Sequence, residues 1–172
     1  EPAPGAVNVY GGINEAQTGL TIGSDYYVQD DGSLQSPTVS APYNIRSPTF
    51  VDSFSVASQE AVPSGIAFNN DGTKMFVVGL SGDDVNEYTL STGFDVSTAT
   101  YSQNFSVSAQ DTAPNGIAFN NDGTKMFIVG DAGDDVNEET LSTGSDVSTA
   151  TYSQNFSGSA QDTSPRGIAF NN

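Results

Sequence analysis

The run Pro63-Ser64-Gly65-Ile66-Ala67-Phe68-Asn69-Asn70-Asp71-Gly72-Thr73-Lys74-Met75-Phe76-Val77-Val78-Gly79 decides the fold, because the chain writes it more than once. Its segment Gly65–Gly79 returns 51 residues later as Gly116–Gly130, with Val77 replaced by Ile128 as the one change. Gly-Ile-Ala-Phe-Asn-Asn starts a third time at Gly167, again after 51 residues. A second block, Asp95-Val96-Ser97-Thr98-Ala99-Thr100-Tyr101-Ser102-Gln103-Asn104-Phe105-Ser106, recurs from Asp146 to Ser157. Phe54-Ser55-Val56 is a fragment of an earlier copy. Self-similarity at a fixed period is the signature of a repeat architecture, in which one unit cannot bury its apolar faces alone and must stack on a neighbour.

Each unit reads as four short strands. Ile66–Phe68 and Thr73–Val78 flank Asn69-Asn70-Asp71-Gly72, where Asp-Gly supplies the positive φ of a tight hairpin. Gly82-Asp83-Asp84 marks the next turn, Val85–Leu90 a third strand, and Tyr101–Val107 a fourth after the break at Ser91-Thr92-Gly93. In the fourth, a strict period of two puts Tyr101, Gln103, Phe105 and Val107 on one face. The expected architecture is all-β: a small N-terminal β module over residues 1–35, a Pro/Ser-rich linker over 36–49, and four-stranded propeller-like repeats over 50–172. The predicted core comprises Ile66, Phe68, Met75, Phe76, Val78, Val85, Leu90, Val96, Tyr101 and Phe105, with their partners 51 residues on. Where the copies disagree in character (Leu80/Asp131, Tyr88/Glu139, Phe94/Ser145, Val107/Gly158) the expectation is a wet rim position.

Composition excludes several chemistries. The 172 residues hold 21 acidic and 4 basic side chains, a formal charge of −17, and no Cys, His or Trp. There is no disulfide framework, thiolate nucleophile or imidazole base. Four scattered cations make no footprint for nucleic acid, and no run approaches a membrane span. Glu1-Pro2-Ala3-Pro4 opens without a charged-then-apolar leader, so no signal peptide is expected.

The run Pro-x-Gly-Ile-Ala-Phe-x-x-Asp-Gly-Thr-Lys-Met-Phe-x-Val-Gly, closed by Asp-Val-Ser-Thr-Ala-Thr-Tyr, resembles the Asp-Gly-Thr-Lys-Met-type propeller repeats of bacterial surface proteins and phage tail-associated proteins. Gly19-Leu20-Thr21-Ile22-Gly23-Ser24-Asp25-Tyr26-Tyr27-Val28-Gln29-Asp30-Asp31-Gly32-Ser33-Leu34 resembles a small β module of phage virion proteins, often near fibre or tail modules. Together these resemblances imply a non-enzymatic virion structural or fibre protein, on a particle and so extracellular. Such a protein displays an acidic repeat surface and contacts other virion proteins and host-surface glycans. The alternative is a secreted bacterial adhesin or carbohydrate-binding propeller.

Two complete units fall short of the four to eight blades of a propeller, so homo-oligomerisation or further repeats are expected to complete the structure. A trimer, with six units, is favoured. The expected interface residues are Tyr26, Tyr27, Val28, Phe54, Val56, Ile168 and Phe170. Turn carboxylates Asp71, Asp83, Asp84, Asp122, Asp134 and Asp135 are the candidates for calcium, although turn geometry alone accounts for acidic residues there. No other cofactor is expected. Carboxylate pairs could serve glycoside hydrolysis, but a pair stamped into every unit is unlike an active site. Asn104 and Asn155 head formal glycosylation sequons on a polar strand face, and Lys74 and Lys125 read as outward strand residues. Tyr10, Tyr26, Tyr27 and Tyr88 are the candidates for stacking on sugars.

Overall fold

The computed structural model describes residues 48–171, together with the backbone of two short strands nearer the N-terminus. The chain divides into two compact units, Glu1–Phe50 and Val51–Asn172. In the first, β1 (Tyr27–Val28) pairs antiparallel with β2 (Leu34–Gln35), the ladder that the Asp31-Gly32 turn predicts. Tyr10, Tyr26 and nearly all of the 36–49 linker lie outside the described residues.

The second unit is two copies of one antiparallel meander. β3 (Pro63–Phe68), β4 (Lys74–Gly79), β5 (Asp84–Leu90) and β6 (Ala99–Ser106) form one four-stranded sheet in that order. β7 (Pro114–Phe119), β8 (Lys125–Gly130), β9 (Asp135–Leu141) and β10 (Ala150–Ser157) form the second. The fold is all-β, and among the described residues the helical elements are two 3-10 turns, Val96–Thr98 and Val147–Thr149.

Local chemistry explains each turn. Gly72 adopts φ +70°, and Asp71 Oδ1 accepts from Thr73 N at 3.0 Å and Thr73 Oγ1 at 2.6 Å, while Asn69 Oδ1 accepts from Lys74 N at 2.9 Å. The β7–β8 hairpin repeats this set with Asp122, Thr124, Asn120 and Lys125. Before each 3-10 turn an aspartate caps the free N–H groups: Asp95 Oδ1 accepts from Ser97 N, and Asp146 Oδ1 from Ser148 N, both at 3.1 Å.

The two sheets stack face to face. Phe76, Val78, Val85 and Val107 of the first bury against Ile117, Phe119, Met126, Ile128, Leu141 and Val147 of the second. A second cluster, Met75, Val77, Tyr88 and Leu90, lies on the other face of the first sheet, with Phe54, Val56, Phe68, Val96 and Ala99 packed against it.

The structure corrects several expectations. Tyr101 is 39% exposed because the fourth strand is not a regular ladder. Gln103 pairs with Glu87 but Tyr101 with Tyr88, so Ser102 is an extra residue and the strand changes phase there. The bulge turns Tyr101 to the face opposite Gln103, where its ring meets Tyr88 edge-on at 5.7 Å. The same shift lies between Tyr152 and Gln154. Ile66 is 57% exposed although its copy Ile117 is 5% exposed, and Phe156 is 72% exposed although Phe105 is half-buried. Each loses its cover because, among the described residues, no further repeat sheet stands on its side. Val107, Tyr88 and Glu139 are not on a rim: all three are fully buried. Leu80 and Phe94 are exposed, as expected of rim positions.

Candidate functional site: the seam between repeats

The seam between the two sheets gathers a set of specific hydrogen bonds and close backbone contacts. Its innermost strands approach so closely that glycine is required. A Cβ placed on Gly65 would lie 2.8 Å from the Asn115 carbonyl oxygen and 3.1 Å from the Cα of Gly116. A Cβ on Gly116 would lie 3.0 Å from the Cα of Gly167. Three glycines at the 51-residue spacing therefore stand in a row, backbone against backbone. Ser64 Oγ adds a hydrogen bond to the Pro114 carbonyl at 2.6 Å, and Asn70 Nδ2 donates to the Asn121 carbonyl. Behind this row Phe76 packs on Phe119 with centroids 4.4 Å apart, and Phe127 meets Phe170 at 4.7 Å, the same contact one repeat further on.

The outer part of the seam is polar and turns on Glu87. Its carboxylate is buried, with Oε1 2.8 Å from Lys74 Nζ and Oε2 accepting from Gln103 Nε2 and from Val147 N, each at 3.0 Å. Lys74 Nζ also reaches the Ser145 carbonyl at 2.6 Å, and Gln103 Nε2 reaches Asp146 Oδ1 at 2.7 Å. A strand triad of the first sheet thereby grips the capped loop 145–147 of the second. Hydrogen bonds from Ser148 and then Gln103 hold the Asp146 carboxyl below the usual range. Lys74, expected to face outward, is thus a seam residue.

A second buried acid lies on the seam-facing side of β9, beside Met126, without partners. Glu139 is fully buried on β9, and neither carboxylate oxygen has a hydrogen-bond donor. Desolvation, reinforced by the charge of Glu138, pushes its carboxyl up to about 7. In the first sheet the same position is Tyr88, which packs edge-on against Phe54 at 5.5 Å. Its burial excludes it as a residue that stacks on sugars.

The far face of the second sheet carries the triad again. Lys125 Nζ lies 2.7 Å from Glu138 Oε1, and Gln154 Nε2 donates to Glu138 Oε2 at 3.1 Å. These bonds hold the Glu138 carboxyl below its usual value. Around them Phe127, Val136, Asn155 and Phe156 line a shallow hollow. On the outer face of the first sheet, a concave space of about 400 Å³ is lined by Phe54, Val56, Ile66, Met75, Val77 and Val96.

Four of the six turn carboxylates are engaged in hydrogen bonds of their own. Asp71 and Asp122 hold their own hairpins, and those hydrogen bonds lower both carboxyls. Asp84 accepts from Asn86 and Asn104, and Asp135 from Asn137 and Asn155. Asp83 and Asp134 sit at φ 48° and 49° in the β4–β5 and β8–β9 turns. Among the described residues no three or more acidic side chains come together as a metal site. Of the expected interface residues, Phe54 and Val56 pack on the first sheet's outer face, and Phe170 packs on Phe127. Ile168 is half-buried. Tyr26 lies outside the described residues, and Tyr27 and Val28 are described only as members of β1.

Sequence reasoning missed Lys74, Glu87 and Gln103. The signal was present: Lys-Glu-Gln recurs at 125, 138 and 154 with unchanged spacing, inside strands where polar identity has no other demand on it.

The fold defines a class, an all-β protein of stacked four-stranded repeats. No family model and no curated protein matches the sequence. Among solved structures the chain is similar to a functionally unknown protein from Desulfotomaculum acetoxidans, at 17% identity and TM-score 0.42, over 78% of this chain and 34% of that one. It is also similar to a "putative 6-phosphogluconolactonase" from Bacteroides uniformis, at 18% identity and TM-score 0.44, over 78% of this chain and 36% of that one. The chain spans about a third of the length of either protein.

Proposed function

We propose that this chain is a non-catalytic structural protein of a phage particle, built to assemble through stacked repeats and to display an acidic surface toward the host. The observation that carries the assembly part is the seam: its grip on a neighbouring repeat is duplicated on a face where the described residues place no further repeat. The virion part rests on the resemblance of Gly19–Leu34 to a virion β module, and of the repeats to those of tail-associated proteins. A formal charge of −17 keeps such stacked sheets soluble at high local density. In this reading the chain forms a homo-oligomer, with a trimer bringing six repeats together, joins other virion proteins through its N-terminal module, and meets host-surface glycans. Calcium is not needed for the turns that carry the acidic residues.

The test is an antibody raised against the repeat unit and applied to particles and envelopes purified from the source. Labelling of intact particles supports the reading. Labelling confined to cell envelopes replaces it with the bacterial surface adhesin.

A further inference from the structure

We propose that the outer face of the second sheet and the outer face of the first are two halves of one interface, through which a second copy of the chain docks head to tail. The proposal rests on the assembly reading above and names the surface and the partner. It follows from shifting the internal seam by 51 residues. Phe127, Val129 and Val136 repeat Phe76, Val78 and Val85, which face the neighbouring sheet inside the chain. The wall they would meet on a second copy is Ile66, Phe68, Met75, Val77, Leu90 and Val96, of which Met75, Val77 and Leu90 are already buried with Phe54 and Val56 packed on them. Those six repeat Ile117, Phe119, Met126, Ile128, Leu141 and Val147, the buried wall of the internal seam.

The polar grip shifts in the same way. Lys125 Nζ would take the Phe94 carbonyl, as Lys74 takes that of Ser145. Gln154 would take Asp95, as Gln103 takes Asp146, and Val96 N would donate to Glu138, as Val147 N does to Glu87. The receiving loop is already in shape: Asp95 caps its 3-10 turn as Asp146 does, and Phe94 holds φ 61° where Ser145 holds 58°. The Lys125–Glu138–Gln154 arrangement is likewise assembled before any partner arrives, which lowers the ordering cost of docking.

Two short segments stand where the second copy would go, and both are copies of what would replace them. Pro165–Phe170 covers Phe127 in the place that Pro63–Phe68 of the incoming copy would occupy. Phe54–Val56 lies on the incoming first sheet in the place that Phe156–Gly158 of its host would occupy. Docking therefore exchanges like segments, and the net gain is the burial of Phe156, Val136, Ile66 and the open side of the grip. The two contacting faces are different surfaces, so the contact is heterologous and continues into rings or open stacks.

The absence of cysteine allows a clean test on the full chain. Single variants D95C and Q154C are mixed and treated with a short bismaleimide. Dimers are expected in the mixture and in neither variant alone. Q103C/D146C, the same pair inside one chain, is expected to cross-link without changing size on a denaturing gel. A second pair, F94C with K125C, repeats the experiment with the Asp95 cap intact. No dimer from either mixture while the internal control reacts overturns the proposal, as does equal dimer from one variant alone. Sedimentation of the unmodified chain separates the two readings: oligomers without these cross-links sink this face and leave assembly standing.

Discussion

Replacing Glu139 by glutamine should make the protein more stable at neutral and mildly alkaline pH, and the gain should vanish in mild acid. The carboxyl is buried in the seam with no donor on either oxygen, and it titrates near 7 instead of 4.5. A carboxyl raised in the fold binds its proton more tightly there than in the unfolded chain. Its own contribution to stability is therefore most favourable below about 4.5 and falls as pH rises through the folded value near 7. At about 1.4 kcal/mol per unit, the penalty above pH 7 is of order 3 kcal/mol. Glutamine keeps the shape and cannot ionise, although its amide also lacks partners and costs about 1–3 kcal/mol at every pH. Glu139→Leu removes both penalties.

The assay is urea unfolding at several pH values between 5 and 8, followed by far-UV circular dichroism because the chain has no tryptophan. With no histidine or cysteine, no other side-chain type ordinarily titrates in that window. The carboxyls of Asp71, Asp122, Glu138 and Asp146 are lowered, so their stabilisation is complete above the unfolded values and is lost only in stronger acid. The difference between the native chain and Glu139→Gln should thus slope with pH. Parallel stability curves would refute the reasoning.

Glu87→Ala takes the charge partner from Lys74, one of two acceptors from Gln103 and the acceptor of the Val147 N–H, and should cost about 3 kcal/mol in urea unfolding. Glu138→Ala, the same change on the open face, should cost under about 1 kcal/mol in dilute monomer. Gly79→Ala drives a Cβ into the buried Glu60 carboxyl and to within 2.5 Å of the Val62 carbonyl, a destabilisation of about 2 kcal/mol or more, visible as a lower Tm. Asp146→Ala removes a 3-10 cap and the acceptor of Gln103, whereas Asp95→Ala removes the cap alone. Losing a cap costs about 1 kcal/mol, and calorimetry should find the larger loss at Asp146.

The strands and turns were legible because their causes are local: Asp-Gly at each hairpin, β-branched and aromatic alternation between. The repeat period likewise announced that sheets must stack. What sequence could not supply was the phase of the fourth strand, since a bulge at Ser102 depends on how β5 and β6 mate and moves Tyr101 to the other face. Nor could it place Glu139. A charged residue opposite a tyrosine in the other copy reads as a wet position, yet stacking buries whatever stands there, and the first sheet's Tyr88 is buried at the corresponding place. The grip of Lys74, Glu87 and Gln103 spans two sheets and so has no local signature beyond its own repetition.

The row of Gly65, Gly116 and Gly167 makes the number of repeats a quantity that can change without redesign. Each unit asks of its neighbour only a bare backbone at one position and a capped loop at another, and each unit offers both. Insertion or loss of one whole 51-residue segment would leave the glycine contact and the capped loop of every remaining junction in place. The length of such a stack is then set by copying of the coding sequence and by the closure of the assembly, not by the invention of new contacts.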